Sequence, residues 1–287
     1  MIQTLPEGKP LCGMTSLDNR LYVLRDKSSE QIEVYDIDSC RLLYCLTVPE
    51  LGAKSDIVAC RHNRCAYISD KSHNSIHRVA LSDAAVTHWP VKDEPAGLSL
   101  TCTHSLLVSC LAVRMIKEFN TDGQLLHVLT LPQDLVSSQH AIQLPSGQFN
   151  IVCHGLPADP LHRVCLIGSD GSVVLSFGGQ QGSGSQQMHV PTHMAVDRNE
   201  FVFVTDTNNR RVLLLSPPLT YVREVVSREH LRWWPVRVHL DSDRGRLYVA
   251  DNERRDGKWI SGRVVVVNIQ TYPWEDNGKE RRAARHI

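Results

Sequence analysis

Histidine and aspartate side chains that could bind a metal ion occupy equivalent points of a repeating pattern in this chain of 287 residues. Asp56, His140 and His193 each stand near the beginning of a strand-like run. Two imidazoles and a carboxylate can hold a divalent metal with one position open for water or substrate. They can equally contact an anionic group such as an RNA phosphate, or hydrogen-bond one another and trapped water. These three interpretations stay open until the elements that carry the residues are known.

A second set of candidates combines positive charge with aromatic rings. The formal net charge is zero, but residues 1–209 carry 15 basic and 21 acidic side chains, whereas residues 210–287 carry 16 and 10. Zero net charge argues against a basic nucleic-acid coat, while Arg beside Trp suits phosphate contact and base stacking, or a protein-binding hot spot. The residues of this set are Arg210, Arg211, Arg232, Arg237, Arg254, Arg255, Lys258, Trp233, Trp234 and Trp259.

A repeat of about 40 residues carries both sets. Its anchor positions, which begin the first strand of each unit, are 43, 41, 43, 53 and 44 residues apart, and a second strand ends 13 or 14 residues after each anchor. Alternating runs of Val, Ile, Leu and Tyr between Asp-Gly, Ser-Gly and Asn-rich turns indicate strands. Six such four-stranded units predict an all-β fold, a six-bladed β-propeller. The anchors are Gly13, Asp56, Gly97, His140, His193 and Arg237.

The sixth unit lacks an outer strand of its own. Units one to five each contain a fourth apolar run, whereas only a polar tail follows Val264–Ile269. We expect Ile2–Leu5 to supply the missing strand and close the ring, which also removes an open sheet edge. The predicted organisation is one propeller over residues 1–269 and a polar basic tail over residues 270–287.

The fifth unit resembles an NHL repeat. Pro191–Asp197 is similar to the opening strand of that family, and Phe203–Val212, with Asp206, Asn209 and Arg211, is similar to its Asp-to-Asn-x-Arg-Ile segment. Unit two has Ser75 in place of the family's Arg, and units three and four have Cys110 and Cys153 in place of its Asp. The chain thus resembles the C-terminal propeller of tripartite-motif NHL proteins, which implies a module that binds RNA hairpins or protein partners.

One face of the predicted propeller carries the long links of blades four, five and six. Long loops on a rigid scaffold are where binding residues concentrate. The anchor side chains should border the channel mouth on this face, with the strand ends at His154 and Asp251 close by. Our leading hypothesis is a non-catalytic module whose partner, an RNA hairpin or a protein segment, contacts Arg237, Arg254, Arg255, Lys258 and Trp259. His140 and His193 would form the floor of this site.

The alternative hypothesis is a metal-dependent lyase or hydrolase that uses His140, His193 and Asp56 at the channel mouth. Peptidyl-amidoglycolate lyase, a propeller enzyme with zinc-binding channel histidines, resembles this arrangement. Its histidine falls one residue earlier relative to the following pattern, and a shift of one residue turns a strand side chain to the other face. Apart from this divalent metal, the sequence predicts no cofactor.

The compartment is predicted from what the sequence lacks. No apolar run approaches the roughly 18 residues of a membrane-spanning helix, and the first residues contain no secretory signal. Nine scattered cysteines suit reduced thiols better than a disulfide framework. We therefore expect a cytoplasmic protein with neither a membrane nor DNA as partner.

Overall fold

The fold is that of a six-bladed β-propeller. The structure, a computed structural model, describes residues 3–26, 30–111, 113–148 and 150–269. In those ranges the chain forms six antiparallel sheets of four strands each, arranged in a ring. The predicted tail at residues 270–287, and Ile2 of the predicted closing strand, lie outside the described residues.

Blades one to three follow the simplest order, in which consecutive strands run from the axis to the rim. Their strands are β2 Leu11–Leu17, β3 Arg20–Arg25, β4 Gln31–Asp36 and β5 Leu42–Thr47; β6 Lys54–Cys60, β7 Cys65–Asp70, β8 Ser75–Ala80 and β9 Val86–Pro90; and β10 Pro95–Leu100, β11 Leu106–Cys110, β12 Met115–Phe119 and β13 Leu125–Thr130.

Blades four and five repeat this order, and blade six takes its outer strand from the other end of the chain. The remaining strands are β14 Ser138–Gln143, β15 Asn150–His154, β16 His162–Ile167 and β17 Val173–Gly179; β18 Pro191–Val196, β19 Val202–Asp206, β20 Arg211–Ser216 and β21 Thr220–Val226; and β22 Trp234–Asp241, β23 Arg246–Arg255, β24 Lys258–Asn268 and β1 Gln3–Thr4.

The N-terminal strand closes the ring as the sequence predicts. Gln3 and Thr4 pair with Val266 and Val265 of β24, and the Leu5 N–H donates to the Val264 carbonyl at 3.0 Å. Leu5 itself is buried among apolar residues of blades one and six. Burial of such a side chain contributes about 1.5–3 kcal/mol, so packing reinforces the short backbone pairing.

The apolar core lies between blades. Leu24 and Ile32 of blade one pack with Ile57 and Ile68 of blade two in one buried cluster. The middle strand β7 is buried along its whole length, because both of its faces are covered by neighbouring sheets. Outer strands such as β13 are mostly exposed. A single blade could not bury its own faces, so the closed ring is the unit of stability.

A β-bulge re-aims the residue at the anchor position of each inner strand. The pairing of β14 with β15 shifts between Ser138 and His140, and that of β18 with β19 shifts between Pro191 and His193. The other inner strands shift at the same point. Since a bulge bends the strand and turns the following side chain, equivalent anchors from all blades converge on one axis.

Blade six differs from the prediction at its long link. The sequence interpretation placed an insertion between Asp251 and Val264, but β23 and β24 continue as a projecting hairpin that turns at Asp256 and Gly257. Both turn residues have positive φ, 49° and 76°, which is the geometry that Asp-Gly favours in a two-residue hairpin. This hairpin, Asn252–Gly262, is called the arm below.

Within the described ranges, the helix content is one three-residue 3-10 turn, Thr207–Asn209. No helix in this part of the chain has the length and apolar character needed to traverse a bilayer. The nine cysteines all fall within the described residues and are free thiols.

Candidate binding site around the propeller axis

Asp56, His140 and His193, here called the axial triad, meet at the centre of the ring. Asp56 Oδ2 lies 3.2 Å from His193 Nε2, and the His140 and His193 rings stack with centroids 3.8 Å apart. All three side chains are nearly or fully buried. The predicted convergence of these anchors on one axial point is therefore what the structure shows.

Glycine at two other anchors leaves the space that the triad occupies. A Cβ atom added to Gly13 would lie 2.9 Å from Asp56 Oδ1, and one added to Gly97 would lie 2.6 Å from His140 Cδ2. Such distances are shorter than van der Waals contact. Glycine at these two anchors, next to large polar anchors in the following blades, is thus a packing requirement of the axis.

Backbone groups fix the tautomer of His140. Its Nδ1 accepts the Met194 N–H at 3.3 Å, and its Nε2 lies 3.1 Å from the Leu98 carbonyl oxygen. A carbonyl can only accept, so the ring proton is on Nε2. Burial, with His193 alongside, lowers the pKa of His140 to about 3. His140 is consequently a neutral imidazole with both nitrogens hydrogen-bonded.

His193 is held in the same way. Its Nδ1 faces the Val238 N–H at 3.5 Å, and its Nε2–H donates to Asp56. Burial would raise the pKa of Asp56, but His193 and Arg237 outweigh it and lower that pKa to about 2. The Ile57 and Leu98 N–H groups also donate to this carboxylate, each at 2.9 Å. Asp56 is therefore ionised and well solvated by fixed donors.

These hydrogen bonds bear on whether the triad fits a metal ion. Among the described residues, it forms the one group in which three His, Cys, Asp or Glu ligand atoms lie within 4.8 Å of one another. A metal on Nε2 of a neutral imidazole requires the proton on Nδ1. At both histidines Nδ1 faces a backbone N–H, so that proton would meet another donor. The triad fits a hydrogen-bonded plug better than a metal centre.

A cavity of about 400 Å³, called the axial pocket, opens at the axis on the face of the long links. Arg237, Arg254, Lys71 and Asp26 are its charged lining residues, and Trp259 provides an aromatic wall. Its size falls in the range of small-ligand pockets. Leu11, Leu156, Pro157, Val190 and Val236 supply further apolar lining.

The predicted histidine floor lies deeper than expected. His140 and His193 line a second cavity of about 240 Å³ that opens along the axis from the other side, and neither lines the axial pocket. Arg237 does line that pocket, and its Nε lies 3.9 Å from Asp56 Oδ1. The triad and Arg237 therefore separate the two cavities, and a ligand in the axial pocket meets Arg237 first.

Two tryptophans and two arginines form a continuous surface beside the axial pocket. Arg210 stacks 4.2 Å above the Trp234 ring, and Arg254 lies 5.5 Å from the Trp259 ring centre. The two indoles meet edge to face at 6.4 Å. Arg210, Trp234, Trp259 and Arg254 are called the Trp–Arg patch below. Since Arg254 and Trp259 also line the axial pocket, the patch continues into it.

Other predicted basic residues are occupied by ion pairs. Arg255 pairs with Glu253 at 2.9 Å, and Arg232 pairs with Glu7 at 2.6 Å. Lys258 is exposed near the tip of the arm and does not line the axial pocket. Part of the charge excess in residues 210–287 is therefore neutralised.

His154 and Asp251 lie away from the axial pocket. Asp251 is fully buried and accepts the Arg232 and Trp233 N–H groups and the Arg263 guanidinium. His154 is also fully buried, and its Nδ1 faces the Ser137 N–H at 3.4 Å. Both residues hold the links that enter their blades. Their side chains are directed into these links, and so neither residue lines the axial pocket, although both pair with the inner strands that carry the anchors.

The NHL-like motif of blade five also holds the link that enters its blade. Arg211 donates to Asp206 Oδ2 at 2.8 Å and to the carbonyls of Ser183, Gly184 and Gln187. Asn209 also donates to Asp206. The motif therefore fastens the long link entering blade five, and Arg211 is a buried structural cation rather than a surface residue.

Sequence reasoning missed one axial side chain, His239. It lines the inner cavity, and its Nε2 lies 2.8 Å from Ser16 Oγ. Burial lowers the pKa of His239 to about 4. The signal was present, because residues two apart on a strand share a face and His239 is two residues after the anchor Arg237.

Comparisons with known proteins support the fold alone. No protein-family profile matches the chain, and no curated protein matches its sequence. Hydrazine synthase from Kuenenia stuttgartiensis matches with a TM-score of 0.65 and 11% identity over 92% of this chain and 97% of that chain. A streptogramin B lyase matches at 0.62 and 12% over 92% and 97%. An inactive virginiamycin B lyase from Staphylococcus aureus, solved with quinupristin, matches at 0.65 and 10% over 93% and 99%. The NHL identity stays a prediction.

Proposed function

We propose that this propeller is a binding module that holds an acidic protein segment on the face of the arm and the long links. The observation that carries the proposal is the continuity of the Trp–Arg patch with the axial pocket through Arg254 and Trp259. Trp and Arg beside a pocket are the side chains most often found at the energetic centre of protein interfaces.

The charge of the patch selects the chemistry of the segment. Neither Arg210 nor Arg254 has an ion-pair partner among the described residues. Each keeps its guanidinium over an indole ring, which orients its N–H groups toward an incoming carboxylate at low entropic cost. A segment with Asp or Glu beside an apolar anchor matches this surface. The anchor would enter the axial pocket between Leu156 and Trp259.

An RNA partner matches the same surface less well. Binding to RNA depends on many cations that neutralise successive phosphates. Here Arg211, Arg232 and Arg255 pair with Asp206, Glu7 and Glu253, and Lys71 pairs with Glu94. The remaining positive charge is concentrated at a few points, as an interface with one or two carboxylates requires.

A peptide-display selection tests the proposal. We expect random peptides selected on the purified chain to be enriched in Asp or Glu next to an apolar residue. Trp259→Ala should weaken a selected peptide by about 30-fold or more, the effect of losing an aromatic hot spot. Arg254→Ala should weaken it by about tenfold. Tyr44→Ala is the matched control, because Arg20 stacks on Tyr44 at 5.2 Å in blade one, outside the patch.

A pool of random RNA hairpins provides the second arm of the experiment. Hairpin binding that falls steeply with salt and is lost in Arg254→Ala would indicate that the partner is RNA and not a protein segment. Peptide binding that is equal in Trp259→Ala, Arg254→Ala and the unmodified chain would remove the patch from the function.

The metal-dependent enzyme remains the second candidate. Its support is the closeness of three ligand atoms in the axial triad, together with the lyases among the similar folds. The backbone N–H groups at both Nδ1 atoms oppose it. The metal measurement described in the Discussion separates the two candidates.

We also propose a cytoplasmic location, which the nine free thiols support, since such thiols persist in a reducing compartment. Thiol titration of protein denatured directly from its native cells should find nine. A lower number that rises after reduction would contradict this placement.

A further inference from the structure

A cavity of about 600 Å³ lies between blades one and two, toward the rim of the face that carries the long links. Glu30, Glu50, His73, Ser75, His77 and His88 are its polar lining residues. It shares no lining residue with the axial pocket, so an inference about it does not depend on the proposed function. We call it the rim cavity.

Comparison of equivalent strand ends explains why the rim cavity exists. The second strands of blades two, five and six carry a buried aspartate at the equivalent position, Asp70, Asp206 and Asp251. The residues paired with them on the third strand are Ser75, Arg211 and Arg263. Arg211 and Arg263 fill their sites and donate to the aspartates at 2.8 and 3.0 Å. In blade two the guanidinium is missing, and a cavity takes its place.

Two histidines that line the rim cavity, His73 and His77, contact Asp70. Asp70 Oδ2 accepts from His73 Nδ1 at 2.8 Å and lies 3.4 Å from His77 Nε2. With the Nε2 proton of His77 directed toward Asp70, the lone pair of that ring is on Nδ1. His77 is 3% exposed, and its Nδ1 has no partner among the described residues. A buried acceptor of this kind costs stability unless a donor reaches it.

The charge of the residues that line the rim cavity favours a cationic ligand. Glu30 and Glu50 carry carboxylates, and no Lys or Arg of the described part of the chain lines the cavity. In blade five, the corresponding arginine also donates to three carbonyls of the link that enters the blade. The link entering blade two contributes Glu50 and Leu51 to the rim cavity. A planar cation with several N–H donors matches the unpartnered Nδ1 of His77 and the carboxylates of Glu30 and Glu50.

We propose that the rim cavity binds the guanidinium group of a ligand, which takes the position of the arginine that blade two lacks. The ligand donates to His77 Nδ1 and pairs with Glu30 and Glu50. Its source is either a free guanidine compound or an arginine side chain of another polypeptide. The chemistry of recognition is the same for both.

Calorimetric titration with agmatine, in buffer treated with a metal chelator, tests the proposal. (4-Aminobutyl)urea is the matched control, since it keeps the terminal amine and the planar N–H groups and loses only the guanidinium charge. We expect agmatine to bind and this urea to bind at least about tenfold more weakly. The His77 imidazole nitrogen resonances should shift with agmatine. A capped Gly-Arg-Gly peptide that binds more tightly than agmatine assigns the source to a polypeptide, and the reverse assigns it to a free compound.

Three variants locate the binding. Ser75→Arg restores the guanidinium in the chain and should abolish agmatine binding. Glu50→Gln, at an exposed position, should weaken it about threefold to tenfold, and His77→Phe should weaken it by about tenfold. Glu229→Gln on the same face is the control that leaves binding unchanged. Because Glu50 is exposed, that variant folds even where Ser75→Arg does not.

Three results would overturn the proposal. The first is that neither agmatine nor the arginine peptide binds at millimolar concentration. The second is that agmatine binds equally well to the unmodified chain, Ser75→Arg and Glu50→Gln. The third is that zinc, added without chelator, shifts the His77 resonances while agmatine has no effect, which would make the rim cavity a metal site instead.

Discussion

Asp56 and His193 belong to opposite blades, and the 3.2 Å hydrogen bond between Asp56 Oδ2 and His193 Nε2 joins them across the propeller axis. The two residues are 137 positions apart in the chain. Because blades two and five share no sheet, this bond connects parts of the ring that otherwise meet only through their neighbours. The axis is therefore a place where distant repeats depend on one another.

Replacement of Asp56 by asparagine should destabilise the fold. Asp56 accepts from Ile57, Leu98 and His193, and an asparagine must present its NH₂ group to at least one of these donors. One buried hydrogen bond is lost and a donor is left unsatisfied, so the free energy of unfolding should fall by about 1–3 kcal/mol. Urea denaturation measures it. Asp122→Asn, at an exposed turn, should change it by less than about 0.5 kcal/mol.

The buried histidines should make the folded protein less stable as the pH is lowered. The pKa of His239 is lowered to about 4 in the folded protein, against about 6.5 in an unfolded chain. Between these values the unfolded chain binds a proton that the folded protein does not, so acid favours unfolding. Each such histidine contributes about 1.4 kcal/mol per pH unit.

The variant His239→Gln tests this pH dependence. It removes one titrating group while keeping a partner for Ser16. The plot of unfolding free energy against pH, measured between pH 6 and 4 in urea, should become less steep by about one proton. Equal slopes in the two proteins would mean that His239 binds its proton equally in the folded and unfolded states.

Alanine at Gly97 should disturb the axis directly. The added Cβ would lie 2.6 Å from both the Gln139 carbonyl oxygen and His140 Cδ2, and backbone cannot move aside as a flexible side chain can. We expect a loss of about 1–3 kcal/mol, the usual cost of overpacking. Gly179→Ala is the control, because no atom lies within 4 Å of the Cβ that it adds. Equal thermal stability of the two variants would contradict the close approach.

Metal analysis of the purified protein distinguishes the plug from a metal centre. Because both Nδ1 atoms face backbone N–H groups, we expect no stoichiometric zinc that depends on the axial triad. Inductively coupled plasma mass spectrometry of the unmodified chain, His140→Ala and His193→Ala gives the answer. One equivalent of zinc that disappears in both variants would establish a metal centre at the axial triad and remove the plug.

The repeat and the axis could be predicted from sequence because they depend on local patterns. Alternating apolar runs and Asp-ending strands mark the blades, and a constant distance from anchor to strand end places His140 and His193 at equivalent points. In a closed ring, residues at equivalent points of the inner strands converge on the axis. The contact between His140 and His193 could therefore be predicted from the spacing of the repeats. The closing strand was also predictable, since blade six had no fourth strand within its own sequence.

Other parts of the site could not be read from the sequence, because they depend on partners far apart in the chain. The arm looked like a loop, although Asp256-Gly257 is a hairpin signal. Arg211 looked like a surface cation, but its carboxylate and carbonyl partners bury it. The rim cavity depends on Ser75 standing where blades five and six have arginine, and only the paired strands show what that substitution leaves open.

The pairing of β1 with β24 has a consequence for synthesis on the ribosome. Gln3 and Thr4 are made before the rest of the propeller, and their partners Val265 and Val266 are among the last of its residues. The first strand therefore has no partner while five complete blades are synthesised after it. A chaperone that shields this strand would be needed until β24 has been made.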